Sequence, residues 1–207
     1  MKRIKLMKHI IFIVLLALVA LAGQAQKVKM NKPSLDDYLP LLQAKGYMAY
    51  SFNTKKFKGK VANVVVEEYV NGKDVGNIFD WDTSISLGKK IVVGFSPLEN
   101  DSTFKFTFSV EDDATFNGPL KLRPVYHPND SIKPIYRYVA RPFDLSRPGE
   151  SGSFIPLVLY GSFWYDAEDD VFRCCGENII KPDLSSNIVK EMPHFYVFGI
   201  KINSTTK

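Results

Sequence analysis

The stretch STFKFTFSV, residues 102–110, sets Phe104, Phe106, Phe108 and Val110 on alternate positions, with Lys105, Thr107 and Ser109 between them. In an extended chain successive side chains point to opposite faces, so this pattern predicts a strand with one apolar and one wet face. Such a face must be covered by another layer. The question for the rest of the chain is whether the cover is helices or a second sheet.

Outward from this strand, nearly everything reads the same way. KVANVVVEEYVNGKDVGNIF, residues 60–79, predicts two strands around Asn71-Gly72, a tight-hairpin signal. KKIVVGF, PLKLR, PIYRYVA, SFIPLVLYGSFWY, DVFRCC and HFYVFGIKI give further strands. IPLVLYGSFW is apolar on both parities, which places it centrally with cover on both sides, and Pro156 should sit near its start. In the last strand Tyr196, Phe198, Ile200 and Ile202 share a face, and a short helical turn, SSNIVKEM, precedes Pro193. The helices that repeated βαβ crossovers need are missing. The fold class is therefore mainly β, an antiparallel β-sandwich of about nine strands with a short N-terminal helix. Six prolines between Pro119 and Pro148 predict long ordered connections over the sandwich.

The helix is SLDDYLPLLQAKGY, from residue 34. Ser34 and Asp37 form a capping box, Leu35, Tyr38, Leu39 and Leu42 share a face, and Gly46 suits the stop. Pro40 removes a donor, which predicts a short first turn and a helix restarted at Pro40. So short a helix needs something to pack on.

The start of the chain has a different character. Lys2, Arg3, Lys5 and Lys8 precede the apolar run IIFIVLLALVALA and the small residues of GQAQ. A basic region, a short apolar core and a small-residue end predict a signal peptide over residues 1–25, cut after Ala25. The run is shorter than the roughly 18–20 residues that cross a bilayer, so no stable membrane insertion is expected once it is removed. No cysteine lies at the cut, so the protein is not expected to be a lipoprotein. Residues 26–33 read as a loose segment and 34–207 as a single β-sandwich domain. Removing the signal leaves 23 basic against 22 acidic residues, so the net charge of +5 falls to near neutrality. Attraction to nucleic acid then loses its electrostatic basis.

Chemistry is sparse. Cys174 and Cys175 are the two cysteines of the chain. Continued strand parity would turn Cys174 to the side of Phe172 and Cys175 to the other. Two partly buried free thiols are the reading preferred here, with a vicinal disulfide or redox pair as the alternative, which the short spacing of adjacent Cα atoms would strain. Few histidines and no spaced ligand motif predict no metal and no cofactor. The acidic run Asp166, Glu168, Asp169 and Asp170 reads as a solvated hairpin turn, not a calcium loop. No nucleophile elbow or phosphate loop occurs. Binding has better candidates: Trp81, Trp164 and Tyr165 set aromatic rings beside carboxylates, as sugar- and peptide-binding surfaces do. The expected function is an exported, non-catalytic β-sandwich protein that binds a protein or glycan partner. The alternatives are a small secreted hydrolase using two carboxylates on glycans, and a structural or assembly subunit of a surface layer or fimbria, which an unpaired edge at HFYVFGIKI would favour.

SLDDYLPLLQAKGYMAYSF, VVVEEYVNGKDV and FRCCGENIIKPDLSSNIVKEMPHFYVFGI together resemble a family of exported proteins of unknown function from Bacteroides-type bacteria. The resemblance covers residues 34–202. It implies a single domain placed in the periplasm or at the cell surface, and supplies no functional residues.

Overall fold

The structure, a computed structural model, describes residues 32–100, 102–111, 115–146 and 154–203. The signal-peptide reading and most of the loose segment therefore lie outside the described residues. The chain divides into two compact units, one ending at Tyr38 and the other running from Leu39.

In the first unit the backbone N–H and the hydroxyl of Ser34 both donate to Asp37 Oδ2, at 2.7 and 2.9 Å. These bonds hold the Asp37 carboxyl below its usual range. They open helix α1, Leu35–Ala44, which carries Pro40 in its interior. The expected restart at Pro40 does not occur. Proline lacks a donor but has a φ already suited to a helix, so one bond is lost and the turns continue. Gly46, at φ 89°, takes the left-handed position that ends the helix.

In the second unit twelve strands are described, three more than expected. A four-stranded antiparallel sheet has the order β1–β5–β6–β7, from β1 (Met48–Asn53), β5 (Lys90–Asn100), β6 (Thr103–Val110) and β7 (Thr115–Lys121). The second sheet has the order β3–β2–β12–β9–β8, with β4 pairing β2 off this path. Its strands are β2 (Val61–Val70), β3 (Lys73–Asn77), β4 (Ser84–Ser86), β8 (Tyr138–Pro142), β9 (Phe154–Ser162) and β12 (His194–Ile202). β10 (Trp164–Asp166) and β11 (Val171–Arg173) form a separate hairpin. The extra strands are β1 and β4, together with β10, which separates from β9 where the Phe163 N–H turns aside to the Arg137 carbonyl.

The predicted hairpin between β2 and β3 is present, with Asn71 at φ 50° and Gly72 at φ 73°, the two left-handed residues of a type I′ turn. β9 and β12 are buried along nearly their whole length. β12 pairs with β2 on one side and β9 on the other, so the unpaired edge considered for residues 194–202 does not exist. Pro156 lies beyond Val158, the last β9 residue paired with β8.

Two cores follow from these double-faced strands. Between the sheets Phe95, Phe104, Phe106 and Phe108 of one layer meet Tyr160, Tyr196, Phe198, Ile200 and Ile202 of the other. The predicted parity of β6 is observed, since Phe104, Phe106, Phe108 and Val110 are its buried residues. On the far face of the larger sheet, Leu159, Phe195 and Val197 are covered by helix α2 (Asn187–Glu191), whose Ile188 and Val189 join Met192 and Ile180. Two glycines admit this cover: a side chain on Gly161 would collide with Met192, and one on Gly199 with the Phe154 ring and the Ile155 carbonyl.

Gly199→Ala should therefore cost about 1–3 kcal/mol through overpacking. Gly118→Ala on β7, whose added methyl would meet the Phe106 ring at 3.4 Å, should stay within about 0.5 kcal/mol. Urea denaturation of both variants checks the contrast, and equal losses would contradict it.

Candidate functional site

Charged and polar residues of the larger sheet converge at one end of β2 and β12. Glu68 of β2 accepts from Arg123 Nε and Nη2 at 3.0 and 2.8 Å, and lies 3.0 Å from His194 Nε2. All three contacts fall on Oε1. His194 Nδ1 is 2.5 Å from the Tyr138 hydroxyl, which also accepts from the Arg123 N–H at 3.0 Å and lies 3.1 Å from the Arg123 carbonyl. The Tyr196 hydroxyl donates to the Lys121 carbonyl at 2.7 Å. Residues from β2, β8 and β12 thus grip the segment that leaves β7.

The proton positions follow from what each atom can do. The Glu68 carboxylate only accepts, so His194 Nε2 carries a hydrogen. With a neutral ring, Nδ1 accepts from Tyr138. With a charged ring, Nδ1 donates to Tyr138, which then donates to the Arg123 carbonyl. The charged state serves every partner, whereas the neutral state gives the single Tyr138 hydrogen to Nδ1 and leaves the Arg123 carbonyl without it, so hydrogen bonding and electrostatics oppose each other. Burial, first, and Arg123 lower the His194 pKa, while the bond and charge of Glu68 oppose them, and the net direction is down. Burial likewise raises Tyr138 and Tyr196.

Both ring nitrogens of His194 are occupied within the fold, so the ring has no free atom with which to act on a substrate. Its role is to position Arg123 and the residues that follow. Those residues form one wall of a cleft of about 530 Å³, lined by Arg123, Tyr126, Trp164, Tyr165, Asn71 and Glu191 among others. Tyr126 is 68% exposed. Trp164 is half-buried against the outer core, so its ring both caps that core and lines the cleft. The Asn71 N–H donates to the Pro193 carbonyl at 2.8 Å, tying the β2–β3 turn to the start of β12.

The acidic run forms the turn between β10 and β11, as expected. Arg173 pairs with Asp166 and Asp169. The Tyr165 hydroxyl donates to Asp170 at 2.7 Å, and His127 Nε2 lies 2.9 Å from the same oxygen. His127 Nδ1 accepts from the Asn129 N–H, so Nε2 is the donor to Asp170. These bonds hold Asp170 below the usual carboxylate range. Among the described residues no group of three or more His, Cys, Asp or Glu could hold a metal.

Of the five residues singled out from sequence, the structure brings Trp164 and Tyr165 together in the cleft. Trp81 lies elsewhere, 59% exposed, its ring 5.0 Å from Phe79. Cys174 and Cys175 do not continue strand parity, because β11 stops at Arg173. The buried Arg141 guanidinium takes the Cys174 carbonyl instead. Both thiols are free, Cys174 half-buried and Cys175 exposed, so the expectation of partial burial fails for Cys175. Burial and its neighbour push the Cys174 thiol up.

An antiparallel β-sandwich with an aromatic-walled cleft at one sheet end is the class these features define. Residues 71–204 match the family described as a domain of unknown function, DUF5041, and the chain belongs to that family. The match begins at the β2–β3 turn, leaving α1, β1 and β2 before it. No curated protein and no solved structure matches the chain.

In the unfolded chain His194 takes up a proton near pH 6.5, before it does so in the folded one. The stability conferred by neutral His194 is thus complete above that pH and lost as pH falls through the lower folded value. Urea unfolding from about pH 8 to about pH 5 should show this loss, and His194→Gln should flatten it. In timed alkylation of the native protein Cys175 should react before Cys174, and equal rates would contradict the difference in exposure and the raised pKa of the Cys174 thiol.

Proposed function

We propose that this is an exported, non-catalytic binding protein of the periplasm or cell surface of Bacteroides-type bacteria, and that the cleft beside Trp164 and Tyr165 takes a short stretch of glycan. The basic and apolar pattern of residues 1–25 supports export. The cleft itself carries the binding reading. Its volume of about 530 Å³ falls within the range of small-ligand sites, about 300–1,000 Å³, and suits a short ligand segment better than a broad protein face. Its rings offer stacking surfaces, and Arg123, Asn71 and Glu191 at its margin offer polar groups of both kinds.

The hydrolase alternative finds less support here. It needs two facing carboxylates, and Glu191 is the sole carboxylate among the described residues that line the cleft. Glu68 stands behind the wall, bound by Arg123 and His194. The assembly alternative has lost the free β12 edge that would have favoured it.

A glycan array probed with the purified protein tests the proposal. Binding to a subset of glycans should fall about tenfold or more in Tyr126→Ala, with an unchanged melting temperature. Trp81→Ala, outside the cleft, should leave it unchanged. Silence across the array would overturn the glycan reading.

A further inference from the structure

The cleft makes no use of the two thiols of the chain. Cys174 and Cys175 are both free, the first half-buried and the second exposed. β11 ends at Arg173, so they stand in the loop that leaves the hairpin. That loop is pinned to β8 at two points. The guanidinium of Arg141, itself buried, donates to the Cys174 carbonyl, and the Ile180 N–H donates to the Pro142 carbonyl at 2.9 Å. Between these points Gly176 lies so close to Ile188 that a side chain there would collide with it. Glu177 accepts the Asn187 N–H on one carboxylate oxygen and the Ile188 N–H on the other, each at 3.0 Å. Residues 174–177 are thus clamped between β8 and the start of α2.

The two thiols act on one another. Each raises the cost of ionising the pair, and the Arg141 charge, which opposes the burial of Cys174, is felt at both. Their exposures differ in a productive order. Cys175 meets solvent and can take an incoming disulfide, while Cys174, sheltered beside it, is placed to resolve the mixed disulfide. A bond between neighbours closes almost no chain, so it adds little entropic stabilisation. Adjacent Cα atoms are also about 3.8 Å apart, short of the usual disulfide range of about 4.4–6.8 Å. Both facts disfavour a permanent staple and favour a bond that forms and breaks, as strained, exposed disulfides do. The Cys174 carbonyl carbon is a member of the small ring that such a bond would close. Closing the ring therefore re-aims the oxygen that Arg141 holds, and a buried guanidinium deprived of its acceptor is costly.

We propose that Cys174 and Cys175 form a reversible dithiol–disulfide site, and that closing it loosens the clamp on α2. The oxidant is a disulfide-bearing thiol carrier. The Cys175 thiolate attacks one sulfur of its disulfide and expels the first thiolate. Cys174, giving up its proton, then attacks Cys175 Sγ and expels the second, and the two expelled thiolates take up the protons that the cysteines lose. Two thiols of the protein become one disulfide, and the disulfide of the carrier becomes two thiols. α2 leads through Glu191 and Pro193 into the wall of the cleft, so the state of the pair reaches that wall whatever the cleft binds.

Equilibration of the purified protein with mixtures of oxidised and reduced glutathione, read by intact mass after alkylation, tests it. As the oxidised share rises, both thiols should disappear together with the loss of two hydrogens. The chain should stay monomeric and free of adduct, and dithiothreitol should restore both thiols. Cys174→Ser should stop at a glutathione adduct on Cys175, which traps the first step. A lasting adduct on the unaltered protein, a disulfide-linked dimer, or two thiols that survive oxidised glutathione would each overturn the proposal, and none of these readouts needs a variant to fold. Hydrogen exchange supplies the second readout. In the oxidised protein the Asn187 and Ile188 amides should exchange about tenfold faster than in the reduced one, while those of β6 keep their rate. Equal rates at these two amides would overturn the coupling to α2.

Discussion

The architecture depends on the packing of aromatic rings across the gap between the two sheets, and on the strand that supplies the middle of one side. Phe198 of β12 meets Phe95 edge-on at 5.0 Å and Phe106 at 5.6 Å, while Tyr160 of β9 stacks on Phe95 at 4.9 Å and meets Phe104 at 4.5 Å. Such pairs contribute about 0.5–1.5 kcal/mol each beyond their buried area, and the offset geometries are the favourable ones. Because β9 and β12 are apolar on both faces, neither could sit at the surface. Their other face requires α2 and the segment before it, which form a third layer over the larger sheet.

The same strands carry the polar chemistry at their ends. Glu68, His194 and Tyr138 come from three adjacent or near-adjacent strands and close on Arg123, which belongs to the connection from the other sheet. Tyr196 buries its ring between the sheets and gives its hydroxyl to that connection. The binding wall is thus an extension of the core. Arg123 is placed by a hydrogen-bond network whose members are themselves packed, and Trp164 is held by the outer core that it caps.

Much of the fold was legible because period-two alternation is a local property. Phe104, Phe106 and Phe108 declare their face within one strand, Asn71-Gly72 declares its turn, and the acidic run declares the end of a hairpin. The strand order was not legible, since nothing in HFYVFGIKI says that its neighbours are β2 and β9. Half of the candidate site shared that fate. Trp164 and Tyr165 could be chosen by residue type, but Glu68 in VVVEEYV reads as a solvent-facing charge. Its partners lie 55 and 126 residues away. The cysteines misled for a related reason. Parity holds only while the ladder lasts, and a buried arginine from β8 captures the carbonyl where parity would have continued. The one available signal was Arg141 itself, a charge between the apolar residues of a strand.

The position of β12 also constrains the order in which the molecule can be built. It follows every other described strand along the chain, yet it lies between β2 and β9, which do not pair with each other. A nascent polypeptide that has emerged only as far as residue 193 holds a sheet split down its middle, with two apolar half-cores and no template to join them. Folding of the larger sheet therefore waits for residues 194–202, and the pairings that close it span more than a hundred residues. Such a sheet stays open until β12 arrives, a property that the export proposed above would exploit.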